Sequence, residues 1–273
     1  MSAPRGTVAT RALPGTVAVG ALRDLRRSIV GWSVAVAGVA ALYTVFYPTI
    51  GATKFEVMLD AMPQFAEVMG LDTIVSAGGY VGATVYKLLG CVLTLVCALA
   101  LGARLVAGQE EAGALELDFA APVSRARVYG ERLGVLWLTV LALVTSISAV
   151  VLLLDVLLGL GLDRGNVGAV GLGLLAFAGA LGTVAFAVGA ATGRRSWAIG
   201  VSATIAVVAY VLSYLAPLVD QPWMDSVSPF AWYAGEDPLL TGVDWPGLGL
   251  LAGLAVVAAL AGLVPYGRRD LHV

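Results

Sequence analysis

The side chains best suited to chemistry lie in one acidic segment between residues 107 and 125. This segment contains Glu110, Glu111 and Glu116, although only 12% of the whole chain is charged. Carboxylates at this density support either proton transfer and hydrolysis within this chain or a charged contact with a partner protein. Which of these applies depends on the other residues that each chemistry needs.

Hydrolytic chemistry lacks those other residues. The only histidine is His272, so zinc sites and catalytic triads built on histidine are not expected. Glu110 and Glu111 are adjacent, as in intramembrane proteases that use a glutamate pair. The pattern of those proteases has an arginine four positions after the pair, where this chain has Leu115. Neither lysine, Lys54 nor Lys87, stands between the Gly and the Ser or Thr of a phosphate-binding loop. We therefore expect that this chain is not an enzyme and that it has no nucleotide, cofactor or metal site.

A contact with a partner is the other chemistry open to the acidic segment. Pro122 is expected to stop a short acidic helix, and Ser124 to cap a second helix that leads into the next apolar stretch. Held between two membrane helices, such an acidic helix would transmit the motion of a docked protein. An ordinary solvated connection is an equally weighted alternative.

Six apolar stretches dominate the rest of the chain. With 59% hydrophobic residues and a mean hydropathy of +0.92, they predict an all-α polytopic membrane protein, since a helix needs roughly 20 residues to cross about 30 Å of hydrocarbon. The connections are too short for a soluble domain, so residues 1–273 are expected to form a single transmembrane domain. After an N-terminal cytoplasmic or interfacial segment over 1–28, the predicted spans lie near residues 29–48, 80–107, 133–154, 167–191, 197–216 and 246–265.

The distribution of basic residues predicts the orientation. With the N terminus inside, only Lys54, Lys87 and Arg164 of the 16 Lys and Arg residues fall outside, and cytoplasmic loops hold the excess of positive charge. Both termini are therefore expected in the cytoplasm, and the protein in the cytoplasmic membrane. Residues 21–30 contain three arginines near helical spacing, which suits an amphipathic interfacial helix before the first span or a basic stop that flanks it.

The segment between the last two spans, from residue 217 to residue 245, is predicted to lie outside. It is rich in the aromatic residues that favour the membrane interface, so anchoring is the expected role and lining of an exit path is the alternative. These aromatic residues are Trp223, Phe230, Trp232, Tyr233 and Trp245.

Small and charged residues within the spans predict how the helices pack. Lys87 and Asp155 lie near outer span ends, where reaching to the interface is favoured over a substrate relay. Glycines spaced four apart allow close helix contact, within the bundle or at a subunit interface. The pairs are Gly78 and Gly82, Gly130 and Gly134, Gly189 and Gly193, and Gly249 and Gly253.

In three segments the sequence resembles the membrane subunit of an ABC-2 type transporter. The acidic segment matches that pattern at Glu111, Gly113, Leu115, Glu116, Pro122, Ser124 and Arg125, beside Glu110. The outer segment matches it at Pro229, Phe230, Trp232, Tyr233, Asp237, Pro238 and Leu239, and the terminal residues 268–271 agree with it. The sequence departs from the pattern at Ala114, Asp118 and Glu131, where Thr, an apolar residue and Lys are usual.

This resemblance implies a dimeric permease with about six spans that acts as an exporter. It implies an N-terminal interfacial elbow helix, a cytoplasmic coupling helix in the acidic segment and short re-entrant helices in the outer segment. The partners would be an ATP-binding subunit that holds ATP and Mg²⁺, a second copy or homologous permease, and membrane lipid, but no nucleic acid. ATP binding in the partner would move the coupling helix and switch the permease between inward and outward openings.

Two functions of other classes remain as alternatives. An ion-coupled secondary transporter would be expected to place carboxylates or broken helices at the bilayer midplane, whereas the centres of these spans lack charge. A membrane assembly factor without transport activity is the second alternative.

Overall fold

The computed structural model describes residues 16–50, 75–111, 124–235 and 237–268. In these residues every regular element is a helix and there is no strand, as the sequence predicts. Six of the helices are long and apolar enough to cross a membrane. The elements are α1 (Thr16–Ile50), α2 (Ala77–Gly108), α3 (Arg125–Leu158), α4 (Arg164–Thr192), α5 (Arg195–Leu215), the short α6 (Trp223–Val227), α7 (Pro229–Ala234) and α8 (Pro238–Thr241), and α9 (Trp245–Arg268).

Two helices extend well beyond their predicted spans. α1 begins at Thr16 rather than near residue 29, and α3 begins at Arg125 rather than near residue 133. Hydropathy marks only the apolar part of a helix, whereas Arg, Leu and Ala continue the backbone hydrogen bonding into polar surroundings. The 35 residues of α1 extend about 50 Å, more than the roughly 30 Å of the hydrocarbon core. Residues 21–30 are helical and continuous with the span, and their interfacial placement stays a prediction.

The ends of the long helices follow from local sequence. Ser124 caps α3 as predicted, because its hydroxyl accepts a hydrogen bond from Arg127 N at 3.4 Å. Asp163 caps α4 in the same way through Asn166 N at 2.9 Å. Gly159 and Gly193 end α3 and α4 in the left-handed conformation, at φ 64° and 66°, which glycine adopts without steric cost.

α4 is the central helix of the bundle. Most of its apolar window is buried, and it contacts α2, α3, α5 and α9. The outer faces of the other helices instead expose large apolar side chains, such as Val34 on α1 and Val257 on α9. Apolar exposure on this scale is expected where lipid is the solvent, so the chain is a multi-pass membrane protein.

Close contact between α4 and its neighbours depends on glycine. A Cβ atom at Gly102 of α2 would lie 2.4 Å from the carbonyl oxygen of Gly182, and one at Gly262 of α9 would lie 2.7 Å from Ala187 Cα. Of the predicted pairs, Gly78 and Gly82 face α8 and Gly189 faces Ala107 and Ala198. Packing within the bundle does not explain the pairs on α3 and α9: a Cβ atom at Gly130, Gly134, Gly249 or Gly253 would meet no atom within 4 Å.

α2 contains two wider turns of π-helix, Gly82–Leu89 and Arg104–Gly108. Such turns shift the backbone register by one residue and occur often at functional sites. At Gly90, just after the first wide turn, a Cβ atom would lie 2.4 Å from Val85 O, so a larger residue would not fit there. The two turns lie near opposite ends of α2, and each is contacted by residues of the predicted site or its flanks.

Candidate functional site

The structure describes the two ends of the acidic segment, which are the last residues of α2 and the first of α3. Ser124 and Arg125 begin α3 as predicted. Of Glu110, only the backbone is described, in the helical turn Gln109–Glu111. Four predicted site residues lie outside the described residues: Gly113, Leu115, Glu116 and Pro122.

Glu111 connects the end of α2 to the start of α5. Its Oε1 atom accepts a hydrogen bond from the backbone N–H of Arg195 at 2.9 Å. The N-cap residue of α5, Arg194, supplies no side-chain cap of its own. A carboxylate at a helix N terminus satisfies an otherwise unpaired N–H and interacts favourably with the helix dipole. Glu111 therefore contacts its own chain at the point where α2 ends.

Glu131 connects the start of α3 to the start of α1. Its Oε2 atom accepts hydrogen bonds from Val17 N and Ala18 N, both at 3.1 Å, and its Oε1 atom pairs with Arg127 Nε at 2.9 Å. The first turn of α1 has no acidic residue, so this carboxylate from another helix acts as its cap. Glu131, one of the three residues at which the sequence departs from the ABC-2 pattern, thus has a structural role.

Arg132 connects α3 to the second wide turn of α2. The residue is 4% exposed, and its Nη1 atom donates a hydrogen bond to Leu105 O at 2.7 Å. A buried guanidinium needs such acceptors because an unsatisfied charge in an apolar interior is costly. The contact holds the end of α2 against the start of α3.

We call Glu111, Arg127, Glu131 and Arg132 the flank cluster. Together these residues attach both ends of the segment over 112–123 to α1, α2, α3 and α5. Sequence analysis selected Glu111 and missed the roles of Glu131 and Arg132, because their partners are backbone atoms distant in the chain. The lack of an acidic residue in the first turn of α1 could signal such a cap only once the start of α1 at Thr16 was known.

At the opposite end of α2, α7 is inserted between the long helices. Ser228 accepts a hydrogen bond from Ala231 N at 3.2 Å and donates one to Ala209 O of α5 at 2.6 Å. Pro229 occupies the first turn of α7, where its missing N–H costs nothing. Trp232 is half-buried and donates from Nε1 to Ser226 O at 3.0 Å. The predicted outer motif therefore forms a compact, capped helix.

Tyr233 binds α7 to the first wide turn of α2. Its hydroxyl donates to Tyr86 O at 2.7 Å, and its ring stacks on Phe177 of α4 at 5.3 Å. Phe230 makes edge contacts with Phe177 and with Tyr210 of α5. Burial, followed by the nearby Cys91 and Tyr86, raises the pKa of Tyr233 well above its ordinary value, so the hydroxyl remains a donor.

An ion pair also connects this segment to the first wide turn. Lys87 pairs with Asp237, and its predicted position at the membrane interface stays a prediction. Asp237 adopts a positive φ of 49° immediately before α8, whose Pro238 and Leu239 are buried. All seven predicted outer residues thus lie within α7 and α8 or directly before α8.

Asp155 makes a local contact near the end of α3. The residue is 8% exposed, and its Oδ1 atom accepts a hydrogen bond from Leu162 N at 2.9 Å. The carboxylate therefore holds the turn between α3 and α4, because the N–H groups that follow a helix end need an acceptor, and its position relative to the membrane interface stays a prediction.

A protein-family model described as the multidrug efflux system permease Rv1217c, C-terminal domain, matches residues 15–267. The chain belongs to this family. The match runs from α1 to the last turns of α9 and includes the acidic segment and the outer segment. No curated protein matches the chain. Membership in an efflux permease family favours a transport subunit over an enzyme, in agreement with the six membrane-spanning helices.

Proposed function

We propose that this efflux permease is the membrane subunit of an ABC-2 type exporter driven by a separate ATP-binding subunit. ATP and Mg²⁺ would bind in that subunit, and a second permease copy or a homologous permease would complete the transporter. The multidrug efflux family supports export of drug-like molecules. The flank cluster is the observation that carries the proposal, because it attaches four helices to the ends of the segment where a partner would dock.

The coupling follows from these contacts. Closure of the ATP-binding subunits would displace residues 112–123, which include Glu116. Displacement of the start of α3 would be transmitted through Glu131 to α1, and displacement of the end of α2 through Glu111 to α5. Packed helices respond to such a force by shifting between discrete arrangements, so ATP binding would change the populations of inward-open and outward-open states.

The orientation belongs to the same proposal. The excess of arginine supports an orientation with the flank cluster in the cytoplasm and α6 to α8 outside, in a protein of the cytoplasmic membrane. An ion-coupled mechanism is less well supported, because the buried charged side chains of the described residues, Arg132 and Asp155, lie near the ends of α3 and bind backbone atoms.

Transport into inverted membrane vesicles tests this function. The chain and its ATP-binding subunit are produced together, and accumulation of a fluorescent drug is measured with ATP or with a proton gradient alone. We expect accumulation with ATP and Mg²⁺ but not with a non-hydrolysable ATP analogue. Accumulation driven by the proton gradient without the ATP-binding subunit would support the secondary-transporter alternative, and no transport under either condition would favour an assembly factor.

A further inference from the structure

A small cavity opens between α1, α2, α3 and α5, at the same end of the bundle as the flank cluster. Its volume is about 130 Å³. Buried apolar side chains form its floor, among them Leu25, Cys97 and Leu101, whereas the exposed Ser28, Arg104 and Arg195 lie at its rim. The cavity therefore combines an apolar interior with a polar, strongly basic opening.

The two arginines at the rim give the described lining of the cavity a net positive charge. Among the described residues, no carboxylate lines the cavity and neither guanidinium forms an ion pair. The carboxylate of Glu111 accepts a hydrogen bond from the backbone N–H of Arg195. Two like charges at one opening repel each other, so an anion between them would be favoured. Arginine pairs especially well with phosphate because its N–H groups can bind two oxygens at once.

The size and surroundings of the cavity indicate what supplies that anion. Pockets for drug-sized ligands have volumes of about 300–1000 Å³, so this cavity admits only a headgroup-sized part of a molecule. On α2, Val92, Val96 and Ala100 precede Arg104 at intervals of four residues and form a stripe along the helix. Val92 and Val96 are each 48% exposed, and this apolar stripe leads from the cavity into the membrane-spanning part of the helix.

We infer that the cavity binds a phosphate group, carried by an anionic lipid whose acyl chain lies along the Val92–Val96 stripe. Arg104 and Arg195 donate hydrogen bonds to the phosphate oxygens. The half-buried Trp32 lines the same cavity, which suits a site at the membrane interface, where tryptophan is enriched. Because the lipid would contact α1, α2 and α5 together, it would stabilise their arrangement. This site does not depend on how transport is driven.

Native mass spectrometry of the purified full-length chain tests this site. Equal concentrations of phosphatidylglycerol and phosphatidylcholine are added to wild type, to Arg104→Gln/Arg195→Gln, and to the control Arg23→Gln/Arg194→Gln. The control loses the same charge from residues that do not line the cavity. We expect wild type and control to prefer phosphatidylglycerol, and the Arg104/Arg195 variant to lose roughly fivefold in preference for each arginine removed.

Two further arms complete the test. Ala100→Phe fills the cavity and keeps both arginines, so it should abolish the preference even if the double variant does not fold. Thermal stability with inorganic phosphate in lipid-free detergent distinguishes a free anion from a lipid. If inorganic phosphate without lipid stabilises wild type but not Arg104→Gln/Arg195→Gln, the ligand of this site is free phosphate and not a lipid. Equal preference in wild type, Arg104→Gln/Arg195→Gln and Ala100→Phe, or no preference in wild type, would overturn the inference.

Discussion

Individual side chains in this permease bind backbone carbonyls that the wider turns of α2 present. Tyr233 binds Tyr86 O at one end, and Arg132 binds Leu105 O at the other. In an apolar environment an unsatisfied carbonyl is costly, so each of these contacts holds a second helix at a fixed position on α2. The two side chains therefore determine where α7 and α3 meet the same helix.

Removal of the Tyr233 hydroxyl is expected to destabilise the chain. Tyr233→Phe leaves Tyr86 O without this donor in a buried position, at a cost of about 1–3 kcal/mol, and should lower the midpoint of thermal unfolding of the purified protein. Because burial raises the pKa of Tyr233, its contribution should be constant through neutral pH and be lost only as the pH rises above about 10. Tyr210→Phe, at an exposed ring of the same aromatic cluster, is the control. Equal midpoints for the two variants would contradict the role of this hydrogen bond.

The Lys87–Asp237 ion pair is expected to contribute less than the backbone conformation of Asp237. Both side chains are partly exposed, at 28% and 41%, so the charge interaction should contribute at most about 1 kcal/mol. Asp237→Asn keeps a residue that tolerates positive φ and should have little effect on thermal stability. Asp237→Val places a β-branched residue at φ 49° and should cost more. A larger loss in the Asn variant than in the Val variant would show that the charge dominates.

Glu131 and Glu111, the two carboxylates of the flank cluster, each cap the start of one helix. Glu131→Gln removes the negative charge that interacts with the N terminus of α1 and pairs with Arg127, and loss of such a charge costs about 0.3–1 kcal/mol. In this variant we therefore expect the backbone amides of residues 17–20 to exchange hydrogen faster, and those of residues 195–198 to be unchanged. Hydrogen exchange measured by mass spectrometry checks this. Glu111→Gln is the matched control and should give the reverse pattern, since its carboxylate caps α5. If both variants changed the same peptide, the two caps would not be independent.

The hydropathy of the chain predicted every long helix, but not where α1 and α3 begin. A membrane span depends on the transfer of its residues into lipid, and the local composition is enough to predict that. The start of α1 depends instead on Glu131, more than a hundred residues away in the chain. Ser124 was predictable because an N-cap acts within three residues. The contacts of Arg132 and Tyr233 were not, since they depend on the wider turns of α2 and on packing between distant helices.

For the molecule as a whole, the distribution of arginine predicts which end faces the cytoplasm. In a variant without Cys91 and Cys97, single cysteines at Asp60 and Asp237 should react with a membrane-impermeant thiol reagent in intact cells. Cysteines at Glu116 and Arg194 should react only after the membrane is permeabilised. Labelling of the Glu116 position in intact cells would reverse the orientation and remove the proposed docking side.

The central proposal is that force from an ATP-binding subunit enters this permease through the acidic segment. The most direct measurement is binding of that subunit, together with ATP-dependent transport, in Glu116→Lys and in Asp225→Lys, an exposed acidic residue of the outer segment. Loss of a charged contact of this kind costs about 2–5 kcal/mol, so Glu116→Lys should weaken binding by roughly 30-fold or more and abolish transport. Asp225→Lys should do neither, and equal binding and transport in the two variants would contradict the account.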